Sequence, residues 1–246
     1  MKKIINQKHL VTLVYICSSF LIFCQSKEEL YNRARNFDEV NRDSAIYYWD
    51  QYIKIDSTNS EAFEWRARNL EWFQSEKAIL DYKRAIDLDF KNLNARTGLG
   101  NVYAKQKSYK LALEQFQFVL DHGGHDGVLL NMSNIYEENE NFDELFKCAN
   151  KMTKLNDDML SREGYMKLGN MYFKQMKYNL ALDNYEFAIK AEWIGGFEYY
   201  KIALTLIELD QRSKACQYLD KYLNSEDYEY GGDIQGVKEL INKNCK

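Results

Sequence analysis

One pattern recurs along this chain and limits it to very few folds. Leu99-Gly100-Asn101-Val102-Tyr103 leads into a polar turn, Lys105-Gln106-Lys107-Ser108, and then into Tyr109, Ala112, Phe116 and Val119. Both halves carry apolar residues at helical spacing, so the segment reads as two antiparallel helices joined by a short turn. Gly100 and Ala112 leave no bulk where the helices cross, and Tyr103, Tyr109 and Phe116 fill the space beside them. A lone pair of this kind leaves an apolar face uncovered and needs copies of itself as neighbours.

The copies are present. Leu168-Gly169-Asn170-Met171-Tyr172 with Tyr178, Ala181, Tyr185 and Ala188 repeats the pattern, and Met132-Ser133-Asn134-Ile135-Tyr136 with Phe142, Leu145 and Ala149 stands between the two. Upstream, Arg33-Ala34-Arg35-Asn36 recurs as Arg66-Ala67-Arg68-Asn69, each followed by an alanine (Ala45, Ala78) and a large aromatic (Trp49, Tyr82). Downstream, Ile202-Ala203 precedes Ala215, Leu219 and Tyr222. About six copies at a period of about 34 residues account for most of the chain beyond residue 26. In the copy at 126–160, Leu145 stands where alanine is expected and Ala149 where an aromatic is expected, an exchange that conserves core volume.

On these residues the chain resembles the tetratricopeptide-repeat (TPR) family, whose first helix carries Leu-Gly and a following Tyr and whose second carries a spaced Ala, aromatic and Ala. The resemblance implies an all-α, right-handed superhelical solenoid of about six repeats (27–59, 60–92, 93–125, 126–160, 161–195 and 196–229), closed by a capping helix in 230–246. The family's proline near the end of the second helix is missing, since the chain has no proline; Asp56-Ser57, Asp89-Phe90 and His122-Gly123 supply the stops. Gly231-Gly232 and Asp233 are expected to break the chain and start the cap, with Ile234, Val237, Leu240 and Ile241 on one face.

Residues 1–26 stand apart from the repeats. Met1-Lys2-Lys3 and Lys8 form a basic head before the apolar run from Leu10 to Phe23, the layout of a secretory signal and short for a membrane span. Leu21-Ile22-Phe23-Cys24 resembles a lipobox, which would make Cys24 a lipid-attachment site. Phe23 is larger than the residue usual before that cysteine, so an uncleaved signal anchor is the alternative. Either way the expected place is the cell envelope, with the lipid-anchored form at the outer membrane, facing the periplasm or the surface.

Export makes disulfides possible among the five cysteines. Cys17 lies in the signal, and Cys148 sits in a second helix where burial is the ordinary outcome. Cys216 begins one helix and Cys245 ends the next, antiparallel one, so the two ends meet and a bridge is geometrically reasonable. It would be worth roughly 3 kcal/mol through loop closure; two free thiols are the alternative.

No catalytic, metal or cofactor residues are expected. His122 and His125, in Asp121-His122-Gly123-Gly124-His125-Asp126, superficially offer metal ligands, but the segment reads as a helix stop followed by a helix start: a left-handed C-cap at Gly123 or Gly124, and Asp126 capping the next helix. No phosphate loop, zinc motif or triad spacing appears. The net charge is −4 with no basic stripe, which disfavours nucleic acid.

The resemblance points to a protein or peptide partner in a concave groove built from the first helices. One position per repeat, just beyond the small residue, reads Arg35, Arg68, Asn101, Asn134, Asn170 and Leu204; the first five are expected to form a polar file. Asparagine amides suit a peptide backbone of any sequence, and the two arginines suit a carboxylate. Asparagine is also common at this position in the family and can fill a groove that does nothing specific. The clamp of chaperone-tail binders is not matched, because Asn94, Thr97 and Gly98 stand at its positions. A structural subunit assembling through convex or end surfaces is the alternative function; metal-dependent activity at 121–126 is the weaker one.

Overall fold

The structure, a computed structural model, describes residues 26–190, 196–225 and 234–245. The signal segment with Cys24, and Gly231, Gly232 and Asp233, lie outside the described residues. All regular structure among the described residues is helical. The chain divides into two compact units, Met1–Gly124 and His125–Lys246.

In the first unit, residues 26–37 (α1) are followed by α2 (Arg42–Ile55), α3 (Ser60–Leu70), α4 (Ser75–Leu88), α5 (Leu93–Lys105) and α6 (Tyr109–Asp121). Each first helix packs on its second helix, α3 on α4 and α5 on α6, and each second helix on the next first helix, α2 on α3 and α4 on α5. Gly100 shows why the crossing needs a small residue: a Cβ there would lie 2.5 Å from the Phe116 ring, which is itself fully buried. Gly98 does the same between repeats, where a Cβ would meet the Tyr82 ring at 2.3 Å.

The second unit contains α7 (Val128–Glu138), α8 (Phe142–Met152), α9 (Asp158–Lys174), α10 (Tyr178–Ala188), α11 (Phe197–Glu208), α12 (Arg212–Leu223) and α13 (Ile234–Asn244). The packing order is the same, α7 on α8, α8 on α9, α9 on α10, α10 on α11 and α11 on α12. At Gly169 a Cβ would lie 2.4 Å from the Tyr185 ring. Where Ala149 replaces that ring, the facing small residue is Ser133. Both are fully buried, and the Ser133 hydroxyl donates to the Leu130 carbonyl at 2.8 Å. Val237 of α13 covers Ala203, Leu219 and Tyr222, and a disulfide joins Cys216 to Cys245 with the Cα atoms 5.8 Å apart.

The stops follow the residue chemistry. Asp56 and Asp89 end α2 and α4 in extended conformation, and their carboxylates turn back to accept from the backbone N–H of Thr58 and Lys91, both at 3.0 Å. Asn59 and Asn92 then cap α3 and α5, accepting from Ala62 and Ala95. At the end of α6, Gly123 has φ +73° and Gly124 donates to the Val119 carbonyl at 2.8 Å, the paired-bond ending that favours glycine. The expected cap by Asp126 is not formed. Gly127 is the N-cap of α7 with no side-chain bond, and the Asp126 carboxylate pairs with Lys151 at 3.6 Å.

Four turns within repeats hold a feature that periodicity does not announce. Lys107, Glu140, Met176 and Asp210 all have φ between 52° and 58°. After each, the next N–H returns to a carbonyl five residues back: Ser108 to Tyr103, Asn141 to Tyr136, Lys177 to Tyr172 and Gln211 to Leu206. The same ending that Gly123 makes without strain is made here by side-chain-bearing residues.

Candidate functional site

In the first unit, the face of α1, α3 and α5 is built around two indoles. The Arg35 guanidinium lies 3.5 Å from the Trp65 ring centre and Arg68 lies 4.9 Å from it. Two turns on, Lys105 lies 3.5 Å from the centre of Trp72, with Arg42 at 6.0 Å. Asp38 closes the Arg35 side. One of its oxygens accepts from Arg35 at 3.1 Å, and the other accepts from Trp49 Nε1 at 2.9 Å and Asn69 Nδ2 at 2.7 Å. Arg35 therefore already has its carboxylate, and the expected anion site at this arginine is occupied from within. Arg68 is exposed and makes no ion pair with a carboxylate among the described residues. A cleft of about 270 Å³ lies between Trp65 and Trp72, with Arg42, Arg68 and Asn69 on its wall.

Acidic groups temper this cleft. Glu71 accepts from the Tyr82 hydroxyl at 3.2 Å and lies 3.8 Å from Lys105. Glu64 is buried, and burial pushes its pKa up, partly countered by a hydrogen bond from Asn92 and by Arg68. Behind the face, Arg66 forks onto both oxygens of Asp81 at 2.7 Å and reaches Asp50 at 2.7 Å, tying α3 to α4 and α2. Asn101 sits half-buried on α5.

The second unit presents a different face on α7, α9 and α11. Asn134 is exposed. Asn170 is committed: its amide oxygen accepts from the Tyr185 hydroxyl at 2.9 Å, and its amide nitrogen donates to Glu137 at 3.3 Å. It braces the repeat instead of standing free in a polar file. Glu137 also accepts from Lys167 at 2.5 Å. Lys174 lies 3.8 Å from Glu140. Lys201 is half-buried beside Phe197, and burial pushes its pKa down, with Lys174 acting in the same direction and Glu137 against. Leu204 is half-buried one turn further along α11.

Trp65, Trp72, Lys105, Lys167, Lys174 and Lys201 were not singled out from sequence, yet the signal was there. Trp65, Lys167 and Lys201 stand three residues before Arg68, Asn170 and Leu204, and Lys174 stands four after Asn170, so each shares its helix face with the chosen position.

The 121–126 segment behaves as a helix end. His122 Nδ1 shares a hydrogen with the Phe118 carbonyl at 2.9 Å, and its ring stacks on Phe118 at 3.8 Å. Among the described residues no group of three or more His, Cys, Asp or Glu is placed to hold a metal ion, and no helix is long and apolar enough to cross a membrane. Cys148 is a buried free thiol, pushed up to about 11 by burial.

No family model matches the chain, and no curated protein does either. Solved structures do. PilF of Pseudomonas aeruginosa superposes with a TM-score of 0.68 at 14% identity, covering 90% of this chain and 99% of its own. PilW, described as a widely conserved type IV pilus biogenesis factor, gives 0.68 at 12% identity over 88% of this chain and 98% of its own. YrrB, described as a TPR protein with an unusual peptide-binding site, gives 0.59 at 20% identity over 79% and 97%. This is the tetratricopeptide-repeat fold. In TPR terms, Gly100 and Gly169 are the small residues of the first helix, and Phe116 and Tyr185 the aromatics of the second.

Proposed function

We propose that the chain is a non-enzymatic protein-interaction scaffold that holds a protein or peptide segment against the first-helix faces of its repeats. The observation that carries this reading is the cleft between Trp65 and Trp72, where two indoles are loaded with cations and Arg68 is left exposed. Stacked aromatics and guanidinium groups are side chains that anchor protein partners. YrrB carries a peptide-binding site by its own description, and PilW is described as a type IV pilus biogenesis factor; both are analogies of fold. Arg35, Arg68 and Asn101 remain the proposed face of the first unit and Asn134 and Asn170 that of the second, with Arg35 and Asn170 serving to shape them.

The scaffold belongs to the cell envelope on this reading, tethered at Cys24 by lipid or by an uncleaved signal anchor. The basic head and the Leu10–Phe23 run support that placement. Fatty-acid labelling of the full chain tests it: label should appear on the parent and vanish in Cys24→Ala, and an unlabelled, membrane-free parent would sink it.

Site-specific photocrosslinkers at Arg68 and Asn134, against controls at exposed Lys83 and Lys147 on second helices, test the face. Partners captured from Arg68 and Asn134 alone support it. Capture from the second helices alone would instead favour assembly through outer surfaces, where Tyr47, Leu80 and Phe146 are 58%, 66% and 42% exposed.

A further inference from the structure

The donors and acceptors around the cleft between Trp65 and Trp72 are unequally used. Its acceptors are largely engaged within the protein. Asp38 gives one oxygen to Arg35 and the other to Trp49 and Asn69, while Glu71 accepts from Tyr82 and lies beside Lys105. The donors are not engaged: Arg42 and Arg68 are both exposed, and neither donates a hydrogen bond to a protein acceptor among the described residues. The lining sets three carboxylates, Asp38, Glu39 and Glu71, against these two guanidinium groups, so its charge does not call for an anion. What it offers is open N–H groups beside aromatic surface. Trp72 is 63% exposed even with Lys105 over its ring. Trp65 and Trp72 stand seven residues apart, and Glu71 after the end of α3 keeps helical dihedrals (φ −57°, ψ −23°). At about 1.5 Å per residue the two indoles leave the backbone about 10 Å apart along the helix.

We propose that this cleft receives a proline-rich peptide segment in the polyproline II conformation, with two prolines three residues apart set against the two indoles. That helix repeats every three residues, about 9 Å, close to the spacing at which Trp65 and Trp72 leave their backbone. Proline has no N–H and polyproline II makes no internal hydrogen bonds, so such a segment presents carbonyl acceptors and no donors at its prolines. Arg42 and Arg68 supply the donors those carbonyls need, and the proline rings are apolar bodies of the kind that dock in aromatic-lined grooves. An ordinary extended strand is a poorer match. Its N–H groups need acceptors, and Asp38 and Glu71 are already engaged, which leaves Glu39. An acidic segment is poorer still, because Glu39 and Glu71 repel it. The polyproline II helix is also preformed in solution, so holding it costs little ordering entropy. This inference rests on the reading that first-helix faces hold a peptide, and it adds which chemistry the first unit selects.

The test is titration of a fluorescently labelled decaproline peptide with the full chain, read by anisotropy. Decaproline should bind, and a glycine-serine peptide of equal length should not. Trp72→Ala should weaken binding about tenfold or more, the scale of losing one aromatic anchor. Because Trp72 is exposed, this variant should unfold at the parent's temperature. Arg42→Gln/Arg68→Gln, which touches no buried residue, should weaken binding about tenfold as well. Phe197→Ala in the second unit should leave it unchanged. The ligand is neutral, so affinity should stay within about twofold when salt rises from about 0.1 M to about 1 M and the screening length falls from about 10 Å to about 3 Å. Absence of decaproline binding together with capture of partners from Arg68 overturns the inference while leaving the peptide-holding reading intact. Absence of both, with no capture from Asn134 either, removes that reading too. Decaproline binding that Trp72→Ala and Arg42→Gln/Arg68→Gln both leave unchanged places the ligand elsewhere and overturns the inference. So does a decaglutamate peptide that displaces decaproline and is released by salt, which would make the cleft an anion site.

Discussion

Phe116 in the first unit and Tyr185 in the second fill the same space against Gly100 and Gly169, and they differ by one hydroxyl. That oxygen donates to Asn170, which also bonds Glu137, which in turn holds Lys167. One phenol thus organises a chain of polar contacts on the second face that Phe116 cannot begin on the first. The first face is organised by indoles instead, with Arg35 and Arg68 on Trp65 and a carboxylate, Asp38, closing on Arg35. Identical backbone packing therefore carries two different surfaces. One holds its cations against aromatic rings and internal acids; the other leaves Lys201 without a carboxylate.

The largest effects should show that the packing is common to both units. Gly100→Val and Gly169→Val each push a branched side chain into a fully buried ring, and each should cost about 3 kcal/mol in guanidinium unfolding. A variant that unfolds like the parent breaks the equivalence of the two crossings. A comparable loss, about 3 kcal/mol by loop closure, should follow reduction of Cys216–Cys245 or Cys216→Ser. It should fall on the second unit, seen as faster amide exchange in α12 and α13 and unchanged exchange in α2 to α4.

The first unit should answer differently, to acid. Asp56 is held at about 2 by hydrogen bonds from Lys27 and Thr58. Its depressed value adds stability above the ordinary 3.8, and that contribution is lost as pH falls toward about 2. With solvent screening of the partly exposed Lys27, Asp56→Asn should cost about 1 kcal/mol at pH 7 and nothing near pH 2. An equal cost at both pH values would show that the carboxylate does not act through its charge.

The smallest effects should sharpen the contrast. Lys107→Gly, Glu140→Gly, Met176→Gly and Asp210→Gly each relieve a left-handed residue and should each add about 0.5 kcal/mol in thermal unfolding. Among the described residues the first unit has one such site and the second has three, so combined replacement should raise the second unit more. A loss at any of them would mean that the side chain's own contacts outweigh the backbone strain.

The division between what could be read and what could not runs through particular residues. Gly100, Ala112 and Phe116 announced a close helix crossing because the small–large pairing has no other use at that spacing, and its recurrence at Gly169, Ala181 and Tyr185 made it a repeat. Asp56, Asp89 and Gly123 announced the stops because their conformational preferences act within a few residues. The left-handed turns were not legible, because Lys107, Glu140 and Met176 do not favour that conformation and Asp210 only tolerates it; the packing of the two helices imposes it.

The candidate site was legible as positions and not as partnerships. Sequence alone placed Arg35, Arg68, Asn101, Asn134 and Asn170 at one register of the first helix, since that register follows from helical period. Only the tertiary structure decided that Asp38 already satisfies Arg35, that Tyr185 and Glu137 hold Asn170, and that Lys201 lies half-buried beside Phe197. Local pattern fixes which way a side chain leaves its helix. Which charge meets it depends on the neighbouring helix, whose contribution comes from another repeat altogether.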